Sequence, residues 1–173
     1  AHSLGTIGKE GRGCAYDLSQ QDSFNDQLVT MGTFGKALAT SGAFIGGNAT
    51  LIDYLTNFCR HYIYSTAMSP ANAMATSKSI EVCRNESWRR EKIQELSAQF
   101  TAALDNSINL TTSDSSIIGI LVGDAKLATI CSEKLKEKGI WLTAIRPPTV
   151  KKGTSRLRVT ITTKHNDKDI NYL

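Results

Sequence analysis

Apolar residues in the first half of the chain predict short strands and amphipathic helices. The apolar run at 28–31 predicts a buried strand, and the segment at 42–47 predicts a second strand bounded by glycines. Asn48 is a typical helix N-cap, and the apolar residues after it recur at helical spacing to about residue 60. The Ser-Pro pair at 69–70 predicts the start of a further helix, because serine caps a first turn and proline fits its first position.

The pattern changes after the polar residues at 84–87, which predict a domain boundary. The second half then predicts a compact α+β unit. Leu157, Val159 and Ile161 alternate with polar residues, so their strand has one buried face. Trp88 and Trp141 are expected in the core. The predicted elements are a helix over 88–104, a strand over 117–122, a helix from an Asp124 cap to 138 that Gly139 ends, strands over 140–145 and 156–162, and a helix opening at 166 or 167.

Composition narrows the classes of function. Of the 173 residues, 40% are hydrophobic and 21% are charged, which is the balance of a globular protein. Aromatic residues make up only 7%, so a stacking platform for nucleic acid is not expected. The longest apolar run, 117–122, is too short to cross a bilayer, and we expect a cytoplasmic protein without a membrane partner. The four cysteines have no zinc-site spacing, so no metal is expected.

A lysine between small residues follows the first predicted strand, in the sequence Gly-Thr-Phe-Gly-Lys-Ala at 32–37. A phosphate-binding P-loop needs four residues between its glycines and a hydroxyl after the lysine, and both are missing here. A second possibility is a Schiff-base lysine, because small neighbours leave room for a flat aromatic cofactor. These residues alone favour an ordinary solvated lysine at Lys36 over that second possibility.

Several motifs together resemble one enzyme family. The segment 33–37, followed by Ser-Gly-Ala-Phe at 41–44, is similar to the cofactor-lysine segment of the α-oxoamine synthases, which depend on pyridoxal phosphate (PLP). The Ala-His-Ser-Leu-Gly start, the Gly-Arg-Gly at 11–13 and the Tyr-Ser-Thr at 64–66 also resemble this family, in the same order. The resemblance implies an α/β fold, the C-terminal part of the aspartate-aminotransferase-like (fold type I) PLP-dependent transferase fold. Residues 1–84 would end the large PLP-binding domain, and 85–173 would form the small C-terminal α+β domain.

The segment Trp-Leu-Thr-Ala-Ile-Arg-Pro-Pro-Thr-Val at 141–150 resembles one branch of that family. This branch condenses L-alanine with a pimeloyl thioester, on coenzyme A or a carrier protein, and releases CO2 and the free thiol during biotin biosynthesis. Two departures from its pattern are Lys151, where proline is usual, and Ala39, where glycine is frequent. The alternatives are a sister enzyme that uses glycine or serine with another acyl-CoA, and a non-catalytic fragment that only packs or dimerises.

The resemblance also assigns roles to individual residues. Lys36 carries the cofactor, His2 contacts its 3-oxygen, and Thr33 contacts its phosphate. Thr66 reaches the phosphate of the other subunit, which implies a homodimer. Arg146, with Thr149, binds the substrate carboxylate, because guanidinium makes a planar two-bond fit to carboxylate. The simpler alternatives are a loop histidine, turn or cap threonines and a surface arginine. The family's pyridine-binding aspartate would precede Ala1, so these residues do not make a complete site.

Overall fold

The computed structural model describes residues 1–16, 27–111, 113 and 115–173. The chain divides into two units, Ala1–Ser87 and Trp88–Leu173. The predicted boundary, between 84 and 85, lies where the last helix of the first unit ends. Across the described ranges, none of the helices has both the length and the apolar character needed to cross a membrane.

In its described ranges, the first unit contains an antiparallel hairpin and several helices. Strands β1 and β2 pair so that Met31 lies opposite Ile45 and Gly32 lies opposite Phe44. A glycine-rich loop with a short 3-10 turn, Lys9–Gly11, precedes the hairpin. The elements are β1 Thr30–Thr33, β2 Ala43–Gly46, α1 Ala49–Phe58, α2 Arg60–Ile63 and α3 Pro70–Asn85.

Side-chain caps start the two longer helices of this unit where the sequence predicts them. The Asn48 side chain accepts a hydrogen bond from the Leu51 backbone N at 2.8 Å and caps α1. The Ser69 hydroxyl accepts from the Asn72 backbone N at 3.3 Å and caps α3, with Pro70 in the first turn. Each cap satisfies a backbone donor that the helix itself leaves free.

The first strand differs from the prediction in position and in burial. β1 begins at Thr30 rather than at residue 28, and the expected buried strand is wrong, since Val29 and Met31 are 58% and 60% exposed. In the described part of the first unit, β1 pairs with β2 alone. Side chains alternate between the two faces of a strand, and the face that carries Met31 and Ile45 is left exposed.

The second unit is a three-stranded antiparallel sheet with helices, in the strand order β3-β5-β4. The predicted alternation is confirmed, because Leu157, Val159 and Ile161 are all buried in one core cluster. Phe100 and Ile170 pack into the same cluster from two helices. The elements are α4 Trp88–Ala103, β3 Ile117–Gly123, α5 Ala125–Glu137, β4 Thr143–Ile145, β5 Ser155–Thr160 and α6 Asp167–Tyr172.

The segment between α5 and β4 shows where the predicted pattern fails. Ile140 donates its backbone N–H to Leu135 O at 2.9 Å, and Ser132 Oγ donates to Leu142 O at 2.5 Å. These bonds tie the segment to the end of α5, so β4 starts at Thr143 instead of residue 140. Trp141 is 82% exposed, and its predicted core position is wrong. Trp88, 49% exposed, is also outside the core.

Candidate active site

Lys36 lies in the loop that connects β1 to β2. Two backbone hydrogen bonds close the base of this loop, from Phe34 N to Gly42 O at 2.9 Å and from Thr40 N to Phe34 O at 3.0 Å. The Lys36 side chain is exposed, and its Nζ donates a hydrogen bond to Thr33 Oγ1 at 3.3 Å. The structure therefore brings together the two residues that the resemblance assigns to the aldehyde and the phosphate of one cofactor.

Small residues give the lysine loop its shape and leave space around the amine. A Cβ atom at Gly32 would lie 2.3 Å from the Phe44 ring, so a larger residue there would have to displace that ring. A Cβ atom at Gly35 would meet only the Thr40 carbonyl oxygen, at 3.5 Å. Gly35 and Ala37, on either side of Lys36, are both exposed. A planar ligand therefore has access to the amine.

Ala39 adopts a conformation that normally favours glycine. Its φ is +53°, and its backbone N donates to Lys36 O at 3.0 Å, which closes the turn that carries the lysine. The Cβ of an L-residue makes this left-handed conformation costly. This explains why the family that the chain resembles often has glycine at this position. The alanine here stores backbone strain close to Lys36.

We expect Ala39→Gly to stabilise the protein by about 0.5–1 kcal/mol, because the relief of the strained φ exceeds the greater chain entropy of glycine. Thermal unfolding of the complete protein measures this effect. Ala37→Gly is the matched control, since Ala37 has no positive φ in this structure and the same change there adds only flexibility. Equal destabilisation by both changes would show that Ala39 is not strained.

His2 is exposed and lies in the glycine-rich loop. Backbone bonds from Gly5 N to Gly11 O at 2.7 Å and from Gly13 N to Ile7 O at 2.9 Å fold this loop on itself. A Cβ atom at Gly5 would lie 2.7 Å from the Ala37 Cβ. The absence of a side chain at Gly5 therefore lets the His2 loop pack against the lysine loop.

An exposed ion pair lies in the same glycine-rich loop. Arg12 donates to Glu10 Oε2 at 2.7 Å, and its guanidinium lies 4.9 Å from the Tyr16 ring centroid. The hydrogen bond from Arg12, followed by its positive charge, lowers the pKa of the Glu10 carboxyl. Because water screens such an exposed pair, its contribution to the stability of the fold is small.

Thr66 lies between α2 and α3 and is exposed. In the part of the chain that the structure describes, it makes no hydrogen bond to Lys36 or Thr33. Its neighbour Ser65 donates its hydroxyl to the His61 carbonyl. Thr66 is thus available to a ligand outside its own loop, as its predicted role across a dimer interface requires.

Arg146 and Thr149 belong to the second unit, and both are exposed. Arg146 directly follows β4, and its carbonyl oxygen accepts from Thr149 N at 3.0 Å, which holds both residues in one turn. The two predicted substrate-binding residues are therefore adjacent.

A further exposed arginine of the second unit, to which the resemblance assigns no role, is also a candidate for the substrate carboxylate. Arg158 pairs with Thr143 across β5 and β4 and is exposed. It lines a cavity of about 500 Å³ together with Trp141 and His165. The alternation in β5 is the sequence signal that could have found it, because the residues between the buried apolar ones must face away from the core.

The residues of the first unit fit PLP on the chemistry of their groups. An accessible primary amine at Lys36 suits the aldehyde, the Thr33 hydroxyl suits the phosphate, and the residues on either side of Lys36 are small and exposed. His2 offers an exposed imidazole on the loop that packs against Ala37. Within the described ranges, the structure has no group of three or more His, Cys, Asp or Glu side chains arranged to hold a metal ion.

Two curated proteins that are similar to this chain in sequence share one name. The chain is 47% identical over 173 residues to an 8-amino-7-oxononanoate synthase from Aliivibrio salmonicida (strain LFI1238), with 100% of the chain and 44% of the relative covered. It is 45% identical over 176 residues to the synthase of the same name from Aeromonas salmonicida (strain A449), with 100% and 43% covered. The chain thus spans under half the length of these curated relatives, and the predicted partial match is confirmed.

Solved structures show the same fold. The crystal structure of an 8-amino-7-oxononanoate synthase from Francisella tularensis matches with a TM-score of 0.85 and 28% identity, over 99% of this chain and 50% of that chain. A serine palmitoyltransferase from S. paucimobilis, solved with PLP and myriocin bound, matches with a TM-score of 0.83 and 25% identity, over 99% of this chain and 43% of that one. The predicted fold class is confirmed by both.

The family model described as aminotransferase class I and II matches residues 1–173. The fold, the relatives and this match agree over the whole chain. The chain therefore belongs to the aminotransferase class I and II family.

Proposed function

We propose that this chain forms the C-terminal part of a cytoplasmic PLP-dependent acyltransferase, an 8-amino-7-oxononanoate synthase. The enzyme condenses L-alanine with pimeloyl-CoA or a pimeloyl carrier protein and yields 8-amino-7-oxononanoate, CO2 and the free thiol in biotin biosynthesis. The observation that carries the proposal is the exposed Lys36 amine, 3.3 Å from the Thr33 hydroxyl at the end of β1. Relatives of that name at 45–47% identity support the choice of reaction.

Each candidate residue has a distinct task in this reaction. When bound, PLP supplies an aldehyde for the amino group of alanine and a ring that accepts the electrons released at its Cα. Thr33 holds the phosphate by its hydroxyl, and His2 contacts the 3-oxygen. The Lys36 amine takes the proton from the alanine Cα and later returns a proton to the product. Arg146, supported by Thr149, fixes the carboxylate of alanine by its planar guanidinium.

The choice of amino acid distinguishes the proposed reaction from that of a sister enzyme. We expect the complete protein to turn over alanine with pimeloyl-CoA in preference to glycine or serine with shorter or longer acyl-CoA. A screen of three amino acids against a series of acyl-CoA chain lengths, with release of free thiol as the readout, measures this preference. A higher kcat/KM with glycine or serine would assign the chain to a sister enzyme instead.

We expect a homodimer in which Thr66 completes the site of the other subunit. Exposed aromatic residues in the segment 54–64, which precedes Thr66 along the chain, support an interface, since Tyr54 and Phe58 stack at 4.9 Å with both rings largely exposed and Tyr64 is 78% exposed. Mixing a Lys36→Ala subunit with a Thr66→Asp subunit should then restore activity. Such a heterodimer has one intact site, which gives about a quarter of wild-type activity in a random mixture.

The same mixing experiment contains its own control. If Thr66 served the cofactor of its own subunit, each site of the heterodimer would lack one residue, and the mixture would stay as inactive as its parents. Sedimentation of the wild-type protein at the assay concentration must also show a dimer. A fully active monomer would contradict this assembly.

A further inference from the structure

Helix α3 presents a row of polar side chains to the candidate-site loops. Asn72, Thr76, Ser79 and Cys83 are separated by four, three and four residues, the spacing that places side chains on one face of a helix. The first three make hydrogen bonds to the lysine loop. The Cys83 sulfur lies 3.9 Å from the Gly5 carbonyl oxygen in the His2 loop. One helix face therefore touches both loops.

Asn72 binds the backbone of Ser41 at two points. Its Nδ2 donates to the Ser41 carbonyl at 2.7 Å, and its Oδ1 accepts from the Ser41 backbone N at 3.3 Å. Ser79 Oγ donates to the Leu38 carbonyl at 2.6 Å. Backbone N–H and C=O groups in a loop lack the hydrogen-bond partners that a helix or a strand would provide. The Asn72 and Ser79 side chains take the place of those partners.

Thr76 makes the most buried contact of the row and is 5% exposed. Its Oγ1 lies 2.8 Å from Thr40 Oγ1 and 2.8 Å from the Asn72 carbonyl oxygen. A hydroxyl carries one proton and a carbonyl oxygen can only accept. Both contacts are therefore hydrogen bonds when Thr76 donates to the Asn72 carbonyl and the Thr40 hydroxyl donates to Thr76. Removal of the Thr76 hydroxyl would leave Thr40 without this partner.

The three contacts lie on both sides of the strained residue. Ser79 binds the residue before Ala39, and Thr76 binds the residue after it. A residue with a positive φ keeps that conformation only when its surroundings over-determine it. The Ala39 backbone N in turn donates to the Lys36 carbonyl at 3.0 Å. The helix face thus determines the conformation of the turn from which the Lys36 side chain extends.

We propose that Asn72, Thr76 and Ser79 are positioning residues for Lys36. They hold the turn at Ala39 in its left-handed conformation, and this fixes the Lys36 backbone and the direction of its amine. The inference rests on the proposed function of Lys36 as the cofactor-bearing lysine. It adds residues that touch neither cofactor nor substrate and that act through the loop.

The test uses two matched pairs of variants in the complete protein. Thr76→Val removes the hydroxyl at nearly constant volume, whereas Thr76→Ser keeps it. Ser79→Ala removes the bond to Leu38, whereas Ser77→Ala makes the same change at an exposed position of the same helix. The readouts are the rate at which cofactor-free protein captures PLP at Lys36, trapped by borohydride, and the pH midpoint of the visible absorbance of the bound cofactor.

We expect Thr76→Val and Ser79→Ala to slow cofactor capture about fivefold, the effect of one lost hydrogen bond on a poised conformation. Both should shift the absorbance midpoint and speed amide hydrogen exchange over residues 36–41. Thr76→Ser and Ser77→Ala should stay within about twofold of wild type. If Thr76→Val does not fold, the Ser79 and Ser77 pair decides the question by the same readouts.

Wild-type capture rates and an unchanged midpoint in both Thr76→Val and Ser79→Ala would overturn the positioning role, even if their melting temperatures fall. The proposed function fails separately, when wild-type protein captures PLP at a lysine other than Lys36. Whichever lysine binds PLP, amide hydrogen exchange in the cofactor-free protein tests whether α3 fixes the lysine loop. Unchanged exchange over residues 36–41 in both Thr76→Val and Ser79→Ala would contradict that claim.

Discussion

Lys36→Ala is expected to abolish turnover of alanine and pimeloyl-CoA by the complete protein while its fold stays intact. The amine is both the group that holds the cofactor and the base for the alanine Cα, so no other side chain of the loop can replace it. The side chain is exposed, and its removal takes no atom from the core. Free-thiol release measures the activity, and circular dichroism melting checks the fold.

Lys78→Ala is the control for this change. Lys78 is an exposed lysine in the same unit, and its pair with Glu81 is an exposed contact at 2.7 Å between neighbouring turns of α3. We expect this variant to retain wild-type activity. Residual turnover of Lys36→Ala near the wild-type rate would remove Lys36 from the mechanism, and a loss in both variants would point to an effect of charge alone.

Arg146→Ala is expected to weaken alanine binding by about 30-fold, which corresponds to about 2 kcal/mol for a charged partner lost from a bound carboxylate. Arg146→Lys keeps the charge but loses the planar fork, so its effect should be smaller. The absorbance change of the bound cofactor on addition of alanine gives the binding constant. The KM for pimeloyl-CoA should change far less in both variants.

Arg158→Ala is the decisive comparison for that assignment. Arg158 likewise carries an exposed guanidinium, on the strand next to β4, so the two substitutions remove the same charge from the same unit. If Arg158→Ala weakens alanine binding and Arg146→Ala does not, Arg158 is the carboxylate-binding residue. Damage by Arg146→Ala to the thioester step alone would likewise show that Arg146 was assigned to the wrong substrate.

Local features of the fold could be read from the sequence because their causes are local. The caps at Asn48, Ser69 and Asp124 each accept a hydrogen bond from a backbone N within three residues along the chain. The alternation around Val159 likewise needs only the geometry of one strand. These predictions depend on no distant partner, and the structure confirms them.

Burial was harder to predict, because a sequence shows that a residue is apolar but not what covers it. Met31 and Trp141 are both apolar and both exposed. The polar row on α3 was missed for a related reason. Asn72 and Ser41 are 31 positions apart, and neither residue type marks a long-range contact in a sequence. The sequence did carry a sign of the strain at Ala39, because glycine is frequent at this position in the family that the chain resembles. The cause of the strain is a positive φ angle, which a sequence does not show.

The central claim is that Lys36 carries the cofactor, and one labelling experiment tests it most directly. Complete protein loaded with PLP is reduced with borohydride, digested and examined by mass spectrometry, beside Lys36→Ala treated in the same way. We predict that the reduced cofactor is found on the peptide that contains Lys36, and that the variant yields no labelled peptide. Recovery of the label on a different lysine of the wild-type protein would contradict the account.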